Sequence, residues 1–201
     1  MFDLPKKCFV NKFIPKKTFY ERVGFSSNIK DDFVNIIDKI IWLYKISPDT
    51  LGVNKTKQVE EIEIFELYLK IRVLPKTVIK IISKSIPYPV LFVIKYKDEV
   101  CYSIKADDNF FTDWNEQINF NFKGINLEYI YEQIVKTIIR EEKNNNNFSE
   151  ILIQKSKREE LLKQIQMLKK KIKTEKQFNK KVELNKLLGN LEKEMGELLN
   201  G

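Results

Sequence analysis

Four glutamates and a lysine crowd one short stretch, Val59–Lys70: Glu60, Glu61, Glu63, Glu66 and Lys70. Carboxylates converging on Mg²⁺, with a lysine to assist the attacking water, are the residue types a metal-dependent nuclease needs. No other acidic cluster in the chain could hold a metal. The spacing works against that chemistry. In a strand, Glu61 and Glu63 share one face and Glu66 takes the other. Three residues separate Glu66 from Lys70, where restriction-type nuclease motifs usually have one. The competing reading is a charged strand end that faces solvent or a basic partner.

A second group is basic. Lys169, Lys170, Lys171, Lys173, Lys176, Lys180 and Lys181 fall within 13 residues, opposed by Glu175, and Phe178 lies among them. Such a concentration can bind a phosphate backbone without sequence preference, and an aromatic beside it can stack on a base. A solvated helical face explains the lysines as well, and a buried position at a helix break explains Phe178. The segment from residue 148 onward carries thirteen basic and eight acidic residues, a net +5, against +3 for residues 1–147.

Composition closes off other chemistries. The 201 residues include two cysteines, Cys8 and Cys101, and no histidine. Ser-His-Asp and Cys-His nucleophiles, His-ligated metals and zinc deaminases are therefore out of reach. Two cysteines cannot build a four-ligand zinc site. Six dispersed glycines supply no phosphate-binding loop. We expect no cofactor and a non-enzymatic protein. With no apolar leader after Met1 and no 18-residue apolar run, we expect cytoplasmic residence and no membrane contact.

The elements that position these groups follow from periodicity. Residues 1–14 have no helical period and read as an extended arm lying on the domain. Phe33, Ile36, Ile37, Ile40, Ile41 and Tyr44 recur at helical spacing, which predicts one helix ending at Ser47-Pro48. Val59–Lys70 reads as a central strand, apolar on both faces. Pro75 opens a helix that buries Val78, Ile79 and Ile82, and Pro87-Tyr88-Pro89 stops it. Val90–Tyr96 is a buried strand, Lys97-Asp98-Glu99 a hairpin turn and Val100–Lys105 the returning strand. A polar loop at 106–115 follows. Alternating Ile118, Phe120 and Phe122 predict a fourth strand over Gln117–Phe122. Asn126 caps a last helix striped by Leu127, Ile130, Ile134, Val135 and Ile138. The expected fold is α+β, with a sheet of about four strands and helices packed on it.

The tetra-asparagine at 144–147 divides the chain into a globular domain, 1–147, and a helical extension, 148–201. Leu161, Ile165, Leu168 and Ile172 form one coiled-coil seam, and Leu184, Leu188, Leu191, Met195 and Leu198 another. The seams are out of phase across Thr174–Val182. One long helix with a shifted stripe fits this, and so does an antiparallel hairpin with Thr174-x-x-Gln177 as a capping box. Either arm could self-associate.

Several stretches together resemble a known family. They are Met1–Pro5, Ile14–Glu21, Ile41-Trp42 with Ile46–Thr50, Val59–Glu66, Ser85–Pro89 and Glu175–Asn185. They are similar to the bacterial and archaeal domain of unknown function 4391, across nearly the whole chain, with Ser85 where that family usually has alanine. The resemblance implies no activity. Its genes commonly lie near helicases and DNA methyltransferases in restriction-like loci. This implies an accessory, adaptor-type subunit in DNA processing or antiviral defence. Its protein partners would be such subunits, bound through the domain and arm, with DNA as a further contact.

Overall fold

The fold was obtained as a computed structural model, which describes residues 2–21, 27–106, 108–141 and 146–200. It divides into two units, Met1–Lys143 and Asn144–Gly201.

Among the described residues, the first unit carries six strands in one mixed sheet. They are β1 (Phe9–Phe13), β2 (Ile37–Ile46), β3 (Ile62–Leu69), β4 (Val90–Tyr96), β5 (Glu99–Lys105) and β6 (Asn109–Phe111), in spatial order β1-β2-β3-β4-β5-β6. Neighbours pair antiparallel except β3 and β4, which run parallel. A parallel pair needs a crossover, and helix α4 (Lys76–Ser85) supplies it. Around the sheet stand α1 (Lys17–Tyr20), α2 (Ser27–Ile36), the short α3 (Pro48–Leu51) and α5 (Leu127–Ile139).

The sheet's two faces are set by β3. Phe65, Leu67 and Leu69 join Phe92, Ile94 and Cys101 in a core shared with Phe33 of α2 and Val78, Ile79 and Ile82 of α4. Ile62, Ile64, Leu91 and Ile104, fully buried, lie on the other face. Helix α5 packs against β5 and β6, and its buried Leu127, Ile130 and Ile134 stand apart from the α2/α4 core. The Asn126 side chain accepts from the Tyr129 N–H, the cap expected of it. Both cysteines are buried free thiols, and burial pushes Cys101 up to about 12.

Three expectations are corrected. The sheet has six strands where about four are expected. The single helix expected before Ser47-Pro48 is two elements: α2 stops at Ile36, and the chain continues directly as β2. Two register shifts interrupt the β2–β3 ladder, at Ile37/Lys39 and Trp42/Tyr44. Each bulge carries an extra residue, so residues three apart, such as Ile37 and Ile40 or Ile41 and Tyr44, fall on one face and imitate a helical stripe. Third, Gln117–Phe122 joins no ladder. Its apolar side is read correctly, since Phe120 and Phe122 are buried. They pack edge-on against Phe2, and Phe120 also against Tyr102. Alternation reports one-sided burial, which a covering segment shares with a strand. The arm expected at the N-terminus contributes edge strand β1, bulged at Asn11 with φ 50°, and the expected polar loop contains β6.

The second unit consists of two long helices, α6 (Phe148–Thr174) and α7 (Phe178–Asn200), joined by Glu175–Gln177. The Arg158 guanidinium donates to the Leu198 carbonyl, Lys157 pairs with Glu194 and Lys169 with Glu192. Early α6 thus meets late α7, an antiparallel hairpin. Leu161 and Ile165 are buried, and Leu168, Ile172, Leu184, Leu188 and Leu191 are half-buried. The capping box expected at Thr174-x-x-Gln177 is absent. The Thr174 hydroxyl instead bonds back to the Lys170 and Lys171 carbonyls, finishing α6. The Glu175 carboxylate accepts from the Lys176 and Gln177 N–H groups, and these bonds hold it below its ordinary pKa.

Phe92→Ala, in the centre of the α2/α4 core, is expected to cost about 3–5 kcal/mol in urea unfolding. Ile125→Ala, at a side chain 80% exposed, should stay within about 0.5 kcal/mol of the parent.

Candidate functional site

The carboxylates of the acidic strand separate as their spacing dictates. Glu63 lies on the α2/α4 face, with Phe65. Its Oε2 accepts from the Trp42 indole N–H, and Trp42 stacks on Phe65 at 6.4 Å between ring centroids. Glu61, just ahead of β3, pairs with Lys45 at 2.9 Å. Glu60, exposed, pairs with Lys55. Glu66 points to the opposite face. Lys70, beyond the end of β3, donates to the Val34 carbonyl at 2.8 Å and does not reach Glu66. The structure therefore does not bring Glu61, Glu63, Glu66 and Lys70 together. Among the described residues, no three acidic or cysteine side chains form a group that could hold a metal ion.

Glu66 has a different lysine. Pairing of parallel β3 and β4 sets Tyr68 beside Lys95 and Glu66 beside Val93. The Lys95 ammonium bonds Glu66 Oε1, and the Tyr68 hydroxyl donates to Oε2 at 3.0 Å. Lys39 of β2, opposite Tyr68 in the ladder, lies over the Tyr68 ring at 4.0 Å. Lys39, Tyr68, Lys95 and Glu66 thus form a polar group across three central strands on one face. Sequence reasoning missed Lys39 and Lys95. Lys39 was hidden inside the stripe misread as helix. Lys95 interrupts an otherwise apolar strand, and a charge at an expected core position is a signal that could have found it.

Burial dominates Glu63. It pushes this carboxyl up to about 7, against the Trp42 hydrogen bond, which pulls down, and with the negative charge of Glu61 helping to raise it. The ordinary value for the unfolded chain is near 4.5. Between the two values the folded state keeps a proton that the unfolded chain releases, so stability falls as pH rises through this window.

The basic group sits at the hairpin tip. Lys169, Lys170, Lys171 and Lys173 lie on the last turns of α6, Lys176 in the connection, and Lys180 and Lys181 on the first turn of α7. All seven are exposed. Among the described residues, Lys169 alone of them has a carboxylate within ion-pair distance, that of Glu192 at 2.8 Å. Phe178 is 78% exposed, which corrects the buried-position reading. The hairpin closes through residues 175–177 before the aromatic, so Phe178 opens α7 outside the seam.

The chain belongs to the family described as a domain of unknown function (DUF4391), whose model matches residues 2–195. That span takes in the sheet and nearly all of the hairpin. No curated protein and no solved structure matches the chain. Among the described residues, no helix is long and apolar enough to cross a membrane.

Glu63→Gln tests the buried carboxyl. At pH 4, where wild-type Glu63 is largely protonated both folded and unfolded, variant and parent should unfold within about 0.5 kcal/mol of each other. At pH 8 the variant should be the more stable, by up to about 3 kcal/mol. Equal differences at both pH values would show that Glu63 titrates normally.

Proposed function

We propose that the protein is a non-enzymatic accessory subunit of a DNA-processing system of the restriction-like, antiviral kind, and that it contacts nucleic acid through the tip of its helical hairpin. The observation that carries this reading is the tip itself. Seven exposed lysines and a 78%-exposed phenylalanine gather around one short connection. An exposed aromatic costs solubility and contributes nothing to the hairpin's own packing. Beside a cationic cluster it supplies a stacking platform for an unpaired base while the lysines neutralise phosphates. Scattered phosphate contacts of this kind carry no sequence information.

The two helices are read as an antiparallel coiled coil. Helicase or DNA methyltransferase subunits are the proposed protein partners. The hairpin offers such a partner Met167, Leu168, Leu187 and Leu191 along the groove between α6 and α7, the surface through which two arms would also self-associate. The split of Glu63 and Glu66 to opposite faces favours this reading over the nuclease.

Fluorescence anisotropy with a single-stranded oligonucleotide tests the tip. Affinity should fall steeply with salt, log K against log salt having a slope of about −3 to −5 for roughly five to seven phosphate contacts. Replacing Lys170, Lys173, Lys180 and Lys181 with glutamine should flatten that slope by about 3, and Phe178→Ala should cost about 1–3 kcal/mol. Salt-independent or absent binding would overturn the proposal.

A further inference from the structure

The face of the sheet that carries Glu66 is roofed at one end by the N-terminal segment and by residues 118–120, and between roof and sheet lies a cavity of about 600 Å³. Its volume is that of a small-molecule site. Glu66 and Lys95 are at its floor, on neighbouring central strands. Aromatic side chains wall it: Tyr44 on β2, Tyr102 on β5, and Phe2 and Phe120 in the roof. All of these belong to the first unit.

The floor is unusual for its place in the fold. The Glu66 side chain is 11% exposed and that of Lys95 34%, amid Ile64, Leu91 and Val93, which are buried. Taking both charges out of water is costly, and apolar residues of similar volume would hold a sheet face at least as well. The pair therefore calls for an explanation beyond stability. Glu66 Oε1 and Oε2 each hold one partner, Lys95 and Tyr68, which leaves each oxygen a second lone-pair site. The Lys95 ammonium, with three donors, spends one on Glu66. A carboxylate able to accept, beside an ammonium able to donate, between aromatic walls, describes the complement of a flat ring that carries donors and an acceptor on one edge.

We propose that this cavity binds a nucleobase, with guanine the best match. Its ring N1–H and exocyclic amine would donate to Glu66, its O6 would accept from Lys95, and the ring would lie against Tyr44 and Tyr102. Guanine sets two donors side by side for a carboxylate; adenine offers its amine alone on that edge. The base could arrive on a free nucleotide or at the unpaired end of a strand, and the two sources share this chemistry. The cavity's lining residues all belong to the first unit and the lysines substituted above to the second, so those substitutions leave its side chains unchanged.

Isothermal titration of the full chain with GMP, AMP and a single-stranded oligothymidylate ending in guanosine tests the proposal. GMP should bind at least tenfold more tightly than AMP. Glu66→Gln should weaken GMP tenfold or more and narrow that preference, because a glutamine amide pairs with adenine. Lys173→Gln, in the second unit and outside the cavity lining, should leave GMP binding within about threefold, and a urea-unfolding midpoint unchanged from the parent guards against a folding defect in Glu66→Gln. In a chain already carrying glutamine at Lys170, Lys173, Lys180 and Lys181, which removes the tip's own hold on a strand, binding of both GMP and the oligonucleotide, each lost on adding Glu66→Gln, assigns the base to either source; GMP alone assigns it to a free nucleotide. Binding of GMP unchanged by Glu66→Gln, or none at millimolar GMP, would overturn the proposal.

Discussion

The parallel pairing of β3 with β4 is the constraint on which the rest of the first unit depends. It cannot be closed by a tight turn, so α4 must cross one face of the sheet, and that face becomes the α2/α4 core. With β3 central, the opposite face also needs cover. Helix α5 packs against β5 and β6, and an aromatic roof of Phe2, Phe120 and Phe122 lies toward Tyr44 and Tyr102. The same pairing fixes the registers Tyr68–Lys95 and Glu66–Val93. It therefore decides that Glu66 meets a lysine from the next strand, while the β2–β3 ladder, with Trp42 opposite Phe65, sets Glu63 against the Trp42 indole.

Much of this was legible in the chain. β3 and β4 were readable as strands because β-branched and aromatic residues there run without glycine or proline, and α4 because Pro75 and Pro87 bracket an apolar stripe. The opposite faces of Glu63 and Glu66 follow from period two alone. β2 was not legible, because its bulges give Ile37 and Ile40 the spacing of a helix. The stronger clue there was composition: four isoleucines with Trp42 and Tyr44 between 37 and 46 favour strand. The segment at 117–122 shows the converse error, where a genuine alternation served packing rather than pairing. The out-of-phase seams of the second unit allowed two arrangements, and interhelical pairs such as Lys169–Glu192 decide between them.

Charge is distributed between the units in a way that separates structural from functional roles. In the first unit several cations are fixed in local ion pairs: Lys45 on Glu61, Arg72 on Glu99, Lys95 on Glu66 and Arg140 on Asp113 and Glu116. Exposed pairs of this type stabilise little, yet each holds its cation against a carboxylate in a set geometry. At the hairpin tip the lysines outnumber the carboxylates, and among the described residues Lys169 alone of the seven is held in an ion pair, on Glu192. Such an arrangement suits a partner whose charge repeats along its length, and the exposed Phe178 gives that partner something other than charge to meet.

The most direct measurement is photo-crosslinking of the full chain to a single-stranded oligonucleotide carrying bromouracil, with the adducts mapped by mass spectrometry. Adducts are expected on the peptide around Phe178, lost in Phe178→Ala and at high salt. Adducts confined to the first unit, or an unchanged pattern in Phe178→Ala, would contradict contact at the hairpin tip.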